Sequence, residues 1–449
     1  MNSNNILKSS KGELINGNPN NARLNFSIDS REVNSHDWFI PIIGENHDSH
    51  IYLTDIANTI SGTFIDERYS NKDNLIKELI NLNPDLIIIT VPDTILALGD
   101  IARFHRENSP NTKFIGITGS NGKTSVKELI ANVLSVKYSV LKTEGNYNNH
   151  IGMPLTILRL KDEEVCVLEM GMNHMYEISY LTNIAKPNIA VITNIGTAHI
   201  GNLGSRENIF KTKIEILESN PDVLLINGED KYLKTVKFHN IITYGTKDFC
   251  DVYTRILDNE FEVTSNNLTT IYPKTSFKAD YEVINSLSAI KIGELMNMTP
   301  DEIKKGIEKP LPRDMRMEEI SLPNDIIVIN DAYNGSYESM VKGIEYVNKL
   351  DRKHKILVLG DMLEMGELSK EYHAKLANII NESDADLIFL LGDEVKVTYE
   401  NVSNQKKVIY NNDRNKVIDS LKKELKPNTV VYFKASRSIK LEEIIKNLW

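Results

Sequence analysis

The sequence predicts an α/β protein of three domains, and three observations carry the prediction. A glycine-bearing loop joins an apolar strand to an amphipathic helix at residues 113–134, the arrangement of a P-loop. Short, continuously apolar runs alternate with helical patterns from residue 84 onward, which is the mark of mostly parallel sheets covered on both faces. A length of 449 residues is too great for one ordinary core and implies about three domains.

Residues 1–83 lack strong alternation and contain only short apolar runs such as Trp38-Phe39-Ile40 and Gly62-Thr63-Phe64-Ile65; they are assigned to an N-terminal domain. Residues 84–312 form the central domain. Its strands are expected at residues 85–89, 114–118, 165–170, 190–194 and 223–227, followed by hairpin material over 253–278 and a helix over 283–296. Asp258-Asn259-Glu260 and Asn266-Asn267 supply the turn signals of the hairpins. Lys309-Pro310-Leu311-Pro312 is a rigid, non-helical punctuation and sets the second boundary. Residues 313–449 then start a new series, with strands expected at 326–330, 355–360, 387–392, 408–410 and 430–433. Lys355-Ile-Leu-Val-Leu-Gly-Asp361 and Leu387-Ile-Phe-Leu-Leu-Gly-Asp393 echo each other as strand-turn units of a doubly wound sheet.

The chemistry is concentrated in Gly116-Ile117-Thr118-Gly119-Ser120-Asn121-Gly122-Lys123-Thr124. Backbone N–H groups of residues 118–124 and the following helix N-terminus suit phosphate oxygens. Lys123 balances their charge, and the Thr124 hydroxyl can ligate Mg²⁺. The loop lacks the first glycine of a strict Walker A pattern, because Ile117 stands there. The helix carries Val126, Leu129, Ile130, Val133 and Leu134 on one face. A nucleotide triphosphate, ATP, is the expected ligand.

In open parallel sheets ligands sit beyond the carboxyl ends of strands. Glu169 and Asn194 end two such strands, and Gly196-Thr197-Ala198-His199 follows the second. A carboxylate and an imidazole beside phosphates are plausible metal or water ligands, set against solvated strand ends or a loop histidine. The amide-dense Asn146-Tyr147-Asn148-Asn149 fits either a turn or a polar-substrate site. Lys211 and Lys213 lie on a helix after His199, where a solvated face is the plain account. Asn330 to Ser336 and Lys434 to Ser438 close strands of the last domain, and Arg313 and Arg316 beside the second linker could reach phosphate on domain closure.

Composition narrows the alternatives. Hydrophobic content of 41% and charged content of 25% are ordinary for a globular chain, and a net charge of −10 argues against coating nucleic acid. Cys166 and Cys250 make neither a disulfide framework nor a zinc site. No segment approaches the roughly 18 apolar residues of a membrane span, and no apolar leader core occurs in residues 1–10. A cytoplasmic enzyme is expected.

Together the motifs resemble the Mur ligases of peptidoglycan synthesis over essentially the whole chain. The resemblance rests on Thr118-Gly-Ser-Asn-Gly-Lys-Thr124, Thr143-Glu-Gly-Asn-Tyr-Asn-Asn149, Glu169-Met-Gly-Met-Asn-His174 and Asn194-Ile-Gly-Thr-Ala-His199. It extends to Lys211-Thr-Lys-Ile-Glu215, Asp331-Ala-Tyr-Asn334, Gly360-Asp-Met-Leu-Glu-Met-Gly366 and Lys434-Ala-Ser-Arg-Ser438. The P-loop alone fits a Mur or folylpolyglutamate-type ligase; the strings at 331 and 360 resemble the dipeptide-adding branch. That branch implies an N-terminal uridine-nucleotide domain, a central ATPase-like domain and a C-terminal Rossmann-like domain. It implies amide formation from UDP-N-acetylmuramoyl-tripeptide and D-alanyl-D-alanine, driven by ATP through an acyl phosphate, by a monomer.

By matching position, the resemblance implies that Asp29, Ser30 and Arg31, with the loop 44–50, hold the uridine diphosphate end. Thr143, Asn146 and Asn149 would line the muramoyl-peptide path. Thr124, Glu169 and His199 would bind Mg²⁺ (two ions), with Lys213 as a carbamylated lysine. Asn285, Arg316, Asp331 and Asn334 would contact ATP across the cleft, with Lys123, Lys213 and His199 as the catalytic groups. Tyr281-Glu282 stand where the family often has His-Asn, and Arg313-Asp-Met-Arg-Met317 offers two arginines where it has one. Lysine and diaminopimelate remain open at the third peptide position. The competing readings are a sister ligase adding a single amino acid and a P-loop switch or transport ATPase, the latter predicting hydrolysis without an amine.

Overall fold

A computed structural model describes residues 3–18 and 25–448, and its strands form three sheets. The first sheet has the order Glu13–Asn16, Ile87–Val91, Gly62–Asp66, Trp38–Phe39, Phe26–Ser27, parallel except for the antiparallel strand Glu13–Asn16. Two of its strands are only two residues long, which is why residues 1–83 show no clear alternation. The boundary expected at 83/84 falls inside this sheet. Ile87–Val91 pairs with Gly62–Asp66, and Leu98 and Ile101 of the next helix, Thr94–Glu107, join the same apolar core. An all-apolar strand reads alike in any parallel sheet, so its sequence does not say which sheet takes it.

The central sheet has nine strands. From one edge they are Val140–Lys142, Val165–Glu169, Lys113–Thr118, Ile189–Ile192, Val223–Asn227, Ile241–Gly245 and Val252–Ile256, all parallel. The antiparallel strands Glu260–Ser265 and Leu268–Pro273 complete the far edge. Asn266 and Asn267, both at positive φ (52° and 62°), make the tight turn between those two. Later strands fall on both sides of Lys113–Thr118, so the sheet's order reverses there. That switch point is where a doubly wound sheet opens a crevice. On the helix Lys123–Leu134, Val126, Leu129, Ile130, Val133 and Leu134 are all buried against the sheet and the helix Asp280–Leu295. Truncating one of them, such as Leu129→Ala, removes packing of about 2–5 kcal/mol.

No helix or strand lies between Ile307 and Glu318, the segment containing the two linker prolines. The third sheet runs Glu318–Leu322, Ile326–Asn330, Thr429–Lys434, His354–Gly360, Leu387–Leu391, Val408–Tyr410, parallel except for its first strand. Helices cover both of its faces. One continuous apolar cluster contains Ile200 and Leu203 of the central domain together with Met362 and Met365 of the C-terminal one. The two domains are therefore closed on each other along a shared cleft. Among the described residues, no helix is long and apolar enough to cross a membrane.

Candidate active site

The phosphate loop leaves the carboxyl end of Lys113–Thr118 and enters Lys123–Leu134 through Gly122, whose φ of +82° suits glycine. A Cβ on Gly119 would collide with the Thr193 hydroxyl. The neighbouring strand end braces the loop from beneath. The Ser120 N–H donates to Asn194 O (3.0 Å) and the Asn121 N–H to Asn194 Oδ1 (3.1 Å), while Thr193 Oγ1 and Asn194 Nδ2 donate to Asn121 O (2.6 and 2.9 Å). Gly196 N–H donates to Ser120 Oγ at 2.8 Å. Asn194 is thus a brace of the loop, a role its strand-end position did not specify.

Lys123 Nζ folds back to donate to Gly119 O (2.8 Å) and Ser120 O (3.4 Å). Burial pushes its pKa down, and the Arg316 guanidinium adds to that, while the Glu169 and Glu364 carboxylates oppose it. A lysine held in this way exchanges backbone carbonyls for phosphate oxygens at little conformational cost.

Glu169 is buried at the end of its strand. Its N–H donates to Thr143 Oγ1 (3.0 Å), and its Oε1 accepts from Asn148 Nδ2 (2.8 Å). The other carboxylate oxygen, Oε2, is buried without a partner among the described residues. Asn148, which the sequence placed only in an amide-dense turn or polar-substrate stretch, fixes Glu169 from 21 residues away. Thr143 does not line the cleft, since its hydroxyl is spent on that strand end. Asn149 Oδ1 accepts from the N–H groups of Ile151 and Gly152 at the start of the helix Gly152–Leu158, and Asn146 is exposed on the cleft rim.

Lys213, on the helix Arg206–Ile214, is 1% exposed and has no hydrogen-bond or ion-pair partner among the described residues. Burial, and the nearby Lys123 charge, push its pKa far below the ordinary lysine value. The plain expectation of a solvated helix face is therefore wrong for Lys213, while Lys211 does sit on the surface, near Glu207. His199 enters at φ +63°, and its Nδ1 lies 2.7 Å from Glu364 Oε2 of the C-terminal domain. The geometry falls short of an aligned hydrogen bond, so the two groups are in close polar contact across the cleft.

The opposite wall comes from the C-terminal domain. Arg316 stacks on Tyr333, with its guanidinium carbon 3.4 Å from the ring centroid, and its Nη2 donates to Thr124 Oγ1 at 3.3 Å. Arg313 faces elsewhere: it pairs with Glu282 (2.8 Å) and donates to Ser276 O. Of the two candidate arginines, then, only Arg316 reaches the phosphate loop. Glu282 is saturated by Arg313 and by the Lys278 and Ala279 N–H groups, capping the helix that carries Asn285. Asn285 lies beside Gly122, 3.0 Å from where a Cβ would stand. Asp331 lines the cleft with both oxygens engaged, by Met317 N–H on one and by Tyr432 OH and Lys434 Nζ on the other. Asn334 also lines it, and its Oδ1 turns back to the Gly335 N–H. Ser336 Oγ donates to Asn121 Oδ1 (2.9 Å), and Glu338 accepts from Thr197 N–H, Thr197 Oγ1 and Arg206 Nη2 at 2.8–2.9 Å.

These walls enclose a cavity of about 750 Å³. Asp29, Ser30 and Arg31 are not part of it. Arg31 is exposed and forms a two-point pair with Asp29, which holds the Asp29 carboxyl down to about 2. In the loop 44–50, Asp48 Oδ1 lies 2.6 Å from Nδ1 of the buried His50, and His50 Nε2 accepts from the Asp66 N–H.

The donor set at the cleft floor suits a hard divalent cation. Glu169 Oε2 is buried without a partner, and Glu169, Thr124 and His199 line the same cavity; Thr118, whose Oγ1 is likewise partnerless, ends the strand before the loop. Among the described residues no group of three or more His, Cys, Asp or Glu side chains is arranged to hold a metal. Oxygens from the nucleotide and a further anionic ligand are needed to complete such a site.

A braced phosphate loop at the switch point of a parallel sheet, faced by a second doubly wound sheet that reaches it with an arginine, defines a two-walled ATP-binding enzyme. Residues 117–293 match the Mur ligase middle domain, and residues 315–437 match the Mur ligase glutamate ligase domain. A Bacillus subtilis UDP-N-acetylmuramoyl-tripeptide–D-alanyl-D-alanine ligase is 33% identical over 99% of this chain and 97% of its own. The crystal structure of MurF from Acinetobacter baumannii superposes with a TM-score of 0.89 at 25% identity, covering 100% of this chain and 98% of that one. MurF ligase from Thermotoga maritima, solved with ADP, gives 0.82 at 27% identity over 94% and 96%. The chain belongs to the Mur ligase family of ATP-dependent ligases.

Proposed function

We propose that this enzyme adds D-alanyl-D-alanine to UDP-N-acetylmuramoyl-tripeptide at the expense of ATP, forming ADP and phosphate. The observation that carries the reading is the cleft itself: a phosphate loop with Lys123, met by Arg316 at Thr124, in a chain that matches ligases of this name end to end. A carboxylate oxygen of the tripeptide attacks the γ-phosphorus of ATP; the bond to the β-phosphate oxygen breaks, ADP leaves and an acyl phosphate forms. The dipeptide nitrogen then attacks the acyl carbon, the C–O bond to phosphate breaks with its electron pair going to phosphate, and nitrogen loses its surplus protons.

The first step brings two anions together, so charge neutralisation dominates its barrier. Lys123 and Arg316 supply positive charge from opposite walls, and closure of the C-terminal wall keeps water from the acyl phosphate. Thr124, Glu169 and His199 would hold Mg²⁺, which when bound offsets charge on the transferring phosphoryl group. Lys213 fits the missing anionic ligand. Burial favours its uncharged amine, and such an amine, adding to carbon dioxide with release of a proton, would become a carbamate. Asp29, Ser30, Arg31 and the loop 44–50 lie apart from the reacting centre and suit the uridine diphosphate end, with the Asn146–Asn149 loop on the path between; the helix after that loop packs Leu155 and Leu158 on the first domain's core. The division at 312/313 belongs to this reading as the boundary between the central and C-terminal domains, the first domain runs past residue 84 to take in Ile87–Val91 and Thr94–Glu107, and a monomer works in the cytoplasm.

Phosphate release with ATP, Mg²⁺ and UDP-N-acetylmuramoyl-tripeptide, in lysine and diaminopimelate forms, tests the reading. D-alanyl-D-alanine is expected to stimulate it, and single amino acids are not. Stimulation by a single amino acid, or hydrolysis indifferent to any amine, overturns it.

A further inference from the structure

We infer that Glu364 is the carboxylate that receives the ammonium group of the incoming amine, an inference that rests on the ligase reading above. The amine arrives as a cation, and among the described residues most acids lining the cleft have no oxygen left for it. Glu338 is filled by Thr197 and Arg206, Glu282 by Arg313 and backbone N–H groups, Asp331 by Met317, Tyr432 and Lys434. Asp230 and Glu229 are likewise engaged on both oxygens, by backbone N–H groups and by Thr246.

Three lining carboxylates keep an open oxygen: Glu169, Glu177 and Glu364. Glu169 Oε2 is buried at the cleft floor, on the phosphate side. Glu177 is committed through its Oε2 to the N–H groups of Asn173 and His174. Glu364 enters from the opposite wall and meets His199, which lines the same cavity as Lys123 and Thr124, so it lies beside the place where the acyl phosphate forms. Its Oε2 touches His199 at 2.7 Å, leaving Oε1 open, and about half of the side chain is accessible.

The backbone delivers Glu364 deliberately. It sits at φ +66°, and its carbonyl accepts the Gly201 N–H at 2.7 Å, which ties the loop to the central domain. Glu364 thus enters the cleft from the C-terminal wall only when the domains are closed. An acceptor site formed by closure holds the amine back until the acyl phosphate is shielded.

The test compares Glu364→Gln and Glu364→Asp with the wild type, using ATP, Mg²⁺ and UDP-N-acetylmuramoyl-tripeptide. The acceptor is either D-alanyl-D-alanine or hydroxylamine, a nucleophile that is uncharged at neutral pH. Loss of a charge-assisted contact to the ammonium is expected to raise the dipeptide KM about 10-fold or more in Glu364→Gln. The KM for ATP should change less than about 2-fold on the same scale, and hydroxamate formation should gain on amide formation. Glu364→Asp, which keeps the charge, should recover part of the dipeptide KM. A dipeptide KM unchanged in Glu364→Gln, or dipeptide and ATP constants rising together, overturns the inference; the second outcome would mean that Glu364 acts through His199. If the wild type forms neither amide nor hydroxamate, it is the ligase reading that fails instead.

Discussion

On the central wall of the cleft, Asn121, Ser120, Thr193, Asn194 and Gly196 are bound to one another by five hydrogen bonds of 2.6–3.1 Å within a single domain. On the C-terminal wall, Arg316, Ser336, Glu338 and Glu364 each reach across a domain boundary with one to three contacts. The first arrangement survives any movement of the other domain; the second exists only in the closed form. The loop that suits phosphate is therefore preformed, while the contacts of the facing wall are assembled by closure.

The comparison predicts the largest effect on the preformed wall. Lys123→Ala should lower turnover about 10²–10³-fold, or about 2.7–4 kcal/mol of transition-state stabilisation, with the melting temperature nearly unchanged. Burial already opposes the charge of Lys123, so its removal relieves the fold of a cost. Turnover at the wild-type rate would break the comparison. Lys213→Ala should come next, with a loss of about 10–100-fold and a matching fall in Mg²⁺ affinity. Depleting carbon dioxide should slow the wild type and leave the variant indifferent. A wild type that ignores carbon dioxide removes the carbamate from the account.

Arg313 and Arg316 stand three residues apart and do different work, which sharpens the contrast. Arg313→Ala strands the nearly buried Glu282 carboxylate. Thermal or denaturant melting should show a loss of about 1.5–3 kcal/mol. Arg316→Ala should leave stability near wild type and instead weaken ATP use, read as kcat/KM. Glu338→Gln tests the closure contacts at smaller scale. The Arg206 pair is part-exposed, so screening limits the loss of that charge contact to about 1 kcal/mol or less. The effect should fall on the rate of domain closure and not on the melting of the isolated nucleotide-binding wall. A Glu338→Gln enzyme more impaired than Lys123→Ala would reverse the ordering of the two walls.

What the sequence disclosed follows the same division. The phosphate loop is local: glycine spacing, a strand before it and a helix face after it all lie within 22 residues. The Asn266-Asn267 turn and the C-terminal strands were legible for that reason too. Glu338 meets Thr197 across 141 residues and Ser336 meets Asn121 across 215, and no periodicity reports contacts of that range. Lys213 looked like any helix-face lysine, because its burial is set by packing that the helix's own pattern does not report. The strand Ile87–Val91 was recognisable as a strand but not as a member of the first sheet, since its apolar pattern fits either neighbour.

The last predicted effect, on stability alone, lies far from the cleft, in the first domain, and it uses the opposite logic of a histidine that must stay neutral. His50 is buried, stacked on Tyr69 at 4.6 Å, and accepts the Asp66 N–H at Nε2; its proton is therefore on Nδ1, facing Asp48. Burial pushes its pKa below the ordinary 6.5; the Asp48 and Asp66 carboxylates oppose the shift, and Arg68 reinforces it. Below about pH 6.5 the unfolded chain takes up a proton that the folded chain refuses, so stability present above that pH is lost as pH falls toward the lowered folded value. Each unit of difference is worth about 1.4 kcal/mol at most. His50→Gln, which can still accept from Asp66 and donate to Asp48, should flatten this part of the pH–stability curve while leaving the phosphate loop untouched. Melting followed from pH 7 to pH 5 checks it. A wild-type curve no steeper than that of His50→Gln would show that the first domain does not depend on a neutral ring at this position.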